Sequence, residues 1–599
     1  MEDNKIEKKS KSFDFNRHKI HITFLTFAFL IFLQCILFHY SCFGYIAFSS
    51  LWTAPSEFFA FYASKLLPAV FIASFIFLSK RYWWSIIMSV LIALWMIANI
   101  IYYRANELFI NTDAISMVDN MRGFWSSIWL YVNWECVVII AICILYVLFI
   151  SIICRGGECN WRKYGISLGC AVLLYTINLL FGSDYDMKHA PRPGDWPQYK
   201  GLFVAPRYAA AGYYSLWESG YIEASSVLQY VVAESVFAID KLTAGEPEIH
   251  FSDADYSLID KLASGEDNEK SVVPNSNLIV IIVESLESWP IGLTDIYGMP
   301  VAPNLDRIIK GKSLYCPNIK SQVLQGTSGD GQMILNTGLL PIQPGAACVK
   351  YGINIYPGFA HLYASGGVLY PTNAWNQTVV SKSYGYKFSR KPKPSTGKDE
   401  VIFDMLKSYV DTASTPYSVQ AITISMHGPF DRVDCKALSF GEDCPSNLAK
   451  YFNCLHYTDS CLGVFWNKIE HDSLLINTTI VITGDHTVFK RSTLRDFQSY
   501  AVQNSIPIPK EESYCPLIIY SPVITERMEV YDLCYQMDVY PTIMHCIGAD
   551  DYYWEGVGEN VMDSVARSNR LITEDEAYSL SDKIIRSDYF RNRKKNGLP

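Results

Sequence analysis

The chain has 599 residues, 50% of them hydrophobic and 14% aromatic, with a formal charge of -9 at neutral pH. That length exceeds one ordinary core, so at least two domains are expected. The negative balance, with no basic stripe, argues against a nucleic-acid partner.

The apolar excess lies at the N-terminal end. Five stretches there have the length of a bilayer crossing: Ile20–Tyr40, Phe58–Leu78, Trp83–Tyr103, Trp134–Ile153 and Tyr164–Phe181. Trp83, Trp84, Tyr102, Tyr103, Trp125, Trp129 and Trp134 sit at their edges, as interfacial aromatics do. Basic residues precede the first stretch (Lys5, Lys8, Lys9, Lys11, Arg17, Lys19) and fill the second-to-third (Lys80, Arg81) and fourth-to-fifth (Arg155, Arg162, Lys163) connections. The first-to-second connection has none, and the third-to-fourth holds only Arg104 and Arg122. This bias puts the N-terminus inside, and an odd number of spans puts the remainder outside. Lys65 and Glu135 read as side chains that snorkel or face headgroups, or in a sharper reading touch a lipid headgroup.

The expected division is a transmembrane domain over 1–183, a connector over 184–271, an exported domain over 272–565 and a C-terminal tail over 566–599. Pro191, Pro193 and Pro197 stiffen the exit from the membrane, and Tyr208–Leu242 has helical spacing. Of the 16 cysteines, those before residue 185 read as small apolar residues. The later ones form no CxxC pair; Cys435 with Cys444, or Cys454 with Cys461, would be short-loop disulfides in an exported domain.

In the later domain, Leu278–Val283 is a run of six apolar residues that stops at Glu284. Such a run predicts a strand buried on both faces, with the carboxylate at its C-terminal end, where open α/β sheets bind ligands. Ala302–Lys310 reads as a helix entered through Pro303. Gln325–Asn336 reads as a loop opening into a helix, with Thr327 at or just before its N-terminus, where negative charge is stabilised; an ordinary N-cap threonine is the plainer reading. Ser418–Ser425 predicts a strand leading to His427, and Leu474–Thr483 one leading to Asp485 and His486. Glu284, Asp485 and His486 make an oxygen-rich set with one nitrogen, suited to Mn²⁺, Zn²⁺ or Mg²⁺. A metal beside Thr327 would activate its hydroxyl as a nucleophile. Glu287, which repeats the Glu-Ser pair, reads as solvated or as support for the ligands.

The combination of Val283-Glu284-Ser285, Pro303-Asn304-Leu305-Asp306, Gly326-Thr327-Ser328, Ser425–Phe430 and Gly484-Asp485-His486 resembles lipoteichoic acid synthase and its relatives, membrane-anchored members of the sulfatase/alkaline-phosphatase superfamily. The resemblance covers about Asn277–Gly548. It implies a five-helix membrane domain followed by an α/β sulfatase-like domain with a mostly parallel central sheet. It implies one divalent metal, Mn²⁺ foremost with Zn²⁺ or Mg²⁺ as alternatives, held by Glu284, Thr327, Asp485 and His486. Thr327 matches the nucleophile that takes phosphoglycerol from a membrane phospholipid as a covalent intermediate, for delivery to an exported glycan or lipid acceptor. His427 matches a histidine that contacts the phosphate or serves the acceptor, and Trp375 and Asn376 match residues lining the headgroup pocket. The implied location is a bacterial-type plasma membrane, with several spans and the catalytic domain on the outer face. Two departures stand out. Gln377 replaces an arginine, removing a bidentate phosphate donor. Gly366–Thr372 lacks a histidine expected before the tryptophan. Gln536–Ile543 resembles a late segment of the family, with no site residue assigned. Phosphoethanolamine transfer and phosphoester or sulfoester hydrolysis are the alternatives within the superfamily, and a non-enzymatic scaffold is a further one. The formylglycine motif of active sulfatases is missing: the nearest string, Cys444-Pro-Ser-Asn447, lacks the spacing and the arginine.

Overall fold

The computed structural model describes residues 15–46, 55–78, 82–111, 128–153, 160–181, 222, 226–244, 249–263, 276–342, 346–347, 359–363, 365–369, 398–470, 476–590 and 592. By internal contacts the chain splits into two compact units, Met1–Ile101 with Val132–Gly194 and Gln198–Thr243, and Tyr102–Tyr131 with Asp195–Pro197 and Ala244–Pro599.

Each of the five apolar stretches coincides with a helix: Phe15–Phe43, Pro55–Ser74 (continued by a 3-10 turn, Phe75–Phe77), Trp83–Asn106, Trp134–Ile153 and Trp161–Phe181. Among the described residues, three segments are long and apolar enough to cross a membrane, Ile20–Phe43, Trp83–Asn106 and Trp134–Ile152, and Phe61–Phe77 is a shorter apolar helix. In the first unit, Phe15–Phe43 packs on Pro55–Ser74 and on Trp134–Ile153, and Pro55–Ser74 packs on Trp161–Phe181. Lys65 does not snorkel. It is 1% exposed, with its ammonium 4.4 Å from the Phe61 ring centroid, and Glu135 is buried too. A cation over a ring face keeps a favourable electrostatic partner when water is removed.

The second unit is an α/β layer structure around one eight-stranded mixed sheet. Its strands are β1 (Asn277–Val283), β2 (Leu314–Lys320), β3 (Ser365–Leu369), β4 (Tyr417–Ile422), β5 (Thr478–Gly484), β6 (Cys515–Tyr520), β7 (Met528–Glu529) and β8 (Cys534–Tyr535). The order is β3-β4-β1-β5-β6-β2-β7, with β8 also paired to β2. β3, β4, β1 and β5 are mutually parallel; β6 is antiparallel to both β5 and β2, so β2 runs in the direction of β1.

β1 is buried along its whole length. Leu278, Val280 and Ile282 enter one hydrophobic core, and Ile279, Ile281 and Val283 enter the other. This is the alternation of a pleated strand covered on both faces. The first core is completed by helices Ser328–Thr337, Val539–Cys546 and Glu574–Ser587, the second by Pro303–Lys310, Asp399–Val410, Ser446–Glu470 and Arg491–Asn504. The C-terminal stretch thus carries a core helix, which buries Ala577, Leu580, Ile584 and Ile585. The suggested disulfides are not formed: Cys435, Cys444, Cys454 and Cys461 are free thiols. Cys454 and Cys461 lie on one helix, Ser446–Glu470, two turns apart. That spacing is about 10 Å, beyond the reach of a disulfide.

Candidate active site

Sheet direction gathers the site. Val283 of β1 pairs with Gly484 of β5, so Glu284 and Asp485 leave neighbouring strands side by side. β4 lies on the other flank of β1 and continues to His427, and the Glu284 N–H donates to Thr423 Oγ1 there at 3.0 Å. β2, running the same way, leads into the loop that carries Thr327.

Glu284, Asp485 and His486 place one ligand atom each within 4.8 Å of one another. A single cation with short metal–ligand bonds needs spacings of roughly 3–4 Å, which side-chain adjustment supplies. His486 Nε2 lies 3.6 Å from both Glu284 Oε1 and Asp485 Oδ2. His486 Nδ1 is 3.2 Å from the Thr487 carbonyl. A proton on Nδ1 satisfies that carbonyl and leaves the Nε2 lone pair facing the carboxylates, as metal-binding histidines are held. Asp485 Oδ1 accepts from Ser285 N (2.8 Å) and His486 N (2.9 Å). Asp485 Oδ2 is buried and meets no hydrogen-bond partner among the described residues. An orphaned carboxylate oxygen at 0% exposure costs several kcal/mol unless a cation or proton meets it. Burial and the Asp485 carboxylate push Glu284 well above the usual carboxylate range, while Ser285 and Arg432 pull it down. These residues fit a divalent cation: two compressed acids, one oriented imidazole and one unsatisfied oxygen.

Thr327 immediately precedes helix Ser328–Thr337, but its side chain makes no capping bond, so its hydroxyl is not spent on the helix end. Its backbone sits at φ +44°, ψ −117°, a rare conformation for a β-branched residue. Ser328 was not singled out from sequence, yet its Oγ lies 3.2 Å from His486 Nε2 and 3.5 Å from Glu284 Oε2. The helix start approaches Asp485 so closely that a Cβ on Gly331 would lie 2.3 Å from the Asp485 carbonyl. His427 Nδ1 is 2.7 Å from the Gly428 carbonyl, leaving Nε2 as an acceptor. Burial lowers the His427 pKa to about 4, so its ring is neutral at pH 7. Arg432 lies within electrostatic reach of Glu284 and His427. Trp375, Asn376 and Gln377 fall outside the described residues.

Further buried groups hold the loops, and sequence reading assigned none of them a role except Glu287. Glu287 is not solvated: it is fully buried, with Oε1 accepting from Val488 N (2.9 Å) and Phe489 N (2.8 Å) and Oε2 from Trp289 Nε1 (2.5 Å). It clamps the chain just after His486. Asp399 does the same for the His427 turn, accepting from Ile424 N (2.9 Å), Ser425 N (3.0 Å) and Thr458 Oγ1 (2.6 Å). Gln536 donates Nε2 to the Asp485 carbonyl at 2.7 Å. Its place in the family-like segment Gln536–Ile543 was the one available signal.

Residues 3–191 match the family model of the lipoteichoic acid synthase N-terminal domain, and residues 356–549 match the sulfatase model. The second range includes His427, Asp485 and His486, whereas Glu284 and Thr327 precede it. Lipoteichoic acid synthase 2 of Bacillus subtilis (strain 168) is 23% identical over 509 residues, which are 79% of this chain and 73% of that protein. Lipoteichoic acid synthase of Staphylococcus aureus (strain USA300) is 22% identical over 452 residues, 70% of this chain and 66% of that protein, so the chain spans just under two thirds of it. Among solved structures, the integral membrane lipooligosaccharide phosphoethanolamine transferase A of Neisseria meningitidis aligns over 89% of this chain and 96% of its own, with TM-score 0.50 and 10% identity, a likeness of fold. With a match to the N-terminal domain of that synthase family ahead of a match to the sulfatase family, the chain is lipoteichoic acid synthase-like in its domain order.

Proposed function

We propose that the protein transfers a phosphoglycerol-type headgroup from a membrane phospholipid to an exported glycan or lipid acceptor, through a covalent link to Thr327. The observation that carries this reading is the strained, uncapped Thr327 next in sequence to Ser328, whose hydroxyl meets the Glu284–Asp485–His486 cluster. The names of the curated relatives, both lipoteichoic acid synthases, favour the phosphoglycerol donor.

A divalent cation, Mn²⁺ by preference, bound by Glu284, Asp485, His486 and Thr327 would supply the positive charge that favours the Thr327 alkoxide and offsets phosphoryl charge. The chain's own groups do the rest. Thr327 Oγ1 bonds to phosphorus as the bond from phosphorus to the diacylglycerol oxygen breaks, and diacylglycerol leaves with the hydroxyl proton. The acceptor hydroxyl then attacks the same phosphorus, and the Thr327 oxygen leaves and regains a proton. His427, whose ring burial keeps neutral at pH 7, takes the acceptor's proton. Arg432 supplies fixed positive charge toward the phosphate, the kind of charge that Gln377 does not provide.

We read the five N-terminal helices as spans, with the N-terminus inside and the catalytic unit outside, so that the site stays near a lipid donor. Phosphoethanolamine transfer is the second reading, favoured by the fold likeness to the Neisseria transferase. Incubation of the full-length protein with headgroup-labelled phosphatidylglycerol or phosphatidylethanolamine separates the cases. Label from phosphatidylglycerol passing to a glycan or lipid supports the proposal, label from phosphatidylethanolamine alone replaces the donor, and free headgroup alone makes the protein a hydrolase.

A further inference from the structure

Asp330 takes no part in the chemistry above, yet it is 1% exposed and lies three residues after Thr327. Its Oδ2 accepts two backbone hydrogen bonds from the loop before the nucleophile, from Leu324 N at 3.0 Å and Gly326 N at 2.9 Å. Three more bonds close the same turn: Thr327 N to Leu324 O (3.1 Å), Gly329 N to Gly326 O (2.9 Å) and Gly331 N to Thr327 O (3.0 Å). Thr327 is held within this turn at positive φ. Such a conformation costs about 1–3 kcal/mol and persists only where surrounding contacts over-determine it.

The fit is close. A Cβ on Gly326 would lie 2.1 Å from Asp330 Oδ1 and 2.8 Å from Ala346 Cβ, so only glycine lets the loop fold onto the carboxylate. Asp330 sits in the first turn of helix Ser328–Thr337, whose Met333, Ile334 and Leu335 are buried in the core. The acceptor is therefore fixed to a rigid element, and the loop is fixed to the acceptor. Asp399 and Glu287 grip the other two site loops in the same way, each through one oxygen that accepts two backbone N–H groups.

We propose that Asp330 is a positioning residue for the nucleophile: its carboxylate pins the Leu324–Gly326 backbone to the following helix and thereby keeps Thr327 in the uncapped conformation from which it attacks. This rests on the reading of Thr327 as the nucleophile. The role requires an acceptor oxygen at that point, not a charge.

The test uses the full-length protein with Mn²⁺ and vesicles of phosphatidylglycerol or phosphatidylethanolamine, whichever the wild type uses. Turnover, the rate of adduct formation on the Thr327 peptide, bound metal and melting temperature are measured for each variant. Asp330→Ala should lower kcat and the adduct rate about 10–100-fold, as misplacement of a reacting group does. KM and metal content should stay within about twofold. Asp330→Asn, which keeps an acceptor oxygen in place, should stay within about threefold of wild type. A folded Asp330→Ala protein with wild-type kcat overturns the proposal, as does Asp330→Asn falling as far as Asp330→Ala. If Asp330→Ala is not recovered folded, Asp330→Glu decides, because it keeps the charge but displaces the acceptor by a methylene. Glu slower than Asn supports positioning, and Asn slower than Glu overturns it. Wild-type turnover with no Thr327 adduct would overturn the nucleophile reading together with this one, whereas an adduct formed equally fast in Asp330→Ala would overturn the positioning role alone.

Discussion

The two ends of β1 carry polar residues with opposite fates. At its start, Asn277 is consumed by structure: its side chain donates to Thr478 Oγ1 at 3.4 Å and accepts from Tyr417 N at 3.2 Å, tying β1 to both neighbours. At its end, Glu284 meets Asp485 and His486, and Asp485 Oδ2 is left buried without a partner among the described residues. Both ends are buried, so burial does not distinguish them. Satisfaction does. A fold can fully pair its buried polar groups, as it does at Asn277, so an unpaired oxygen among acids marks where a ligand belongs.

The sharpest way to break this contrast is Glu284→Ala. It should abolish metal binding and lower turnover by about 10³–10⁴-fold, the scale of losing an essential catalytic group; elemental analysis and a turnover assay check both. Glu287→Ala should cost less, about 10–100-fold in activity or metal affinity, because it removes support for the His486 loop and not a ligand. Equal losses in the two variants would undo the distinction between them. Asn277→Ala should cost about 1–2 kcal/mol of stability in denaturant unfolding and leave turnover per folded molecule within about twofold.

The smallest effect concerns pH. Burial raises the Glu287 pKa to about 7, against an ordinary value near 4.3 in the unfolded chain. Between those values the native protein holds the proton that the unfolded chain has released. The contribution of this group to stability is therefore complete below about pH 4 and is lost as pH rises through 7. In metal-free protein the melting temperature should fall from pH 5 to pH 8, and Glu287→Gln should fall less steeply.

Much of the site was legible in sequence because it lies at strand ends. An apolar run that stops at an acid announces a buried strand and the residue beyond it, and Glu284 and Asp485 do leave paired strand ends side by side. The supporting carboxylates were not legible. Asp330, Asp399 and Glu287 look like any helix-start or loop acid, and their role depends on backbone N–H groups brought near by the fold: Asp399 meets residues 25 positions away, and Glu287 meets residues more than 200 away. Composition signalled the membrane helices, but not that Lys65 would be enclosed over Phe61. The reversed direction of β6 was hidden too, because Cys515–Tyr520 is a buried apolar run like β1 and carries no mark of its direction.

The central claim is that Thr327 carries the phosphoryl group, although Ser328, the next residue, is the hydroxyl that touches His486 and Glu284. Mass spectrometry of the peptide spanning both residues, taken from full-length protein quenched during turnover with lipid and Mn²⁺, tests it most directly. A phosphoglycerol adduct is expected, localised by fragmentation to Thr327 and absent in Thr327→Ala. An adduct on Ser328, or rapid turnover with neither residue modified, would contradict it.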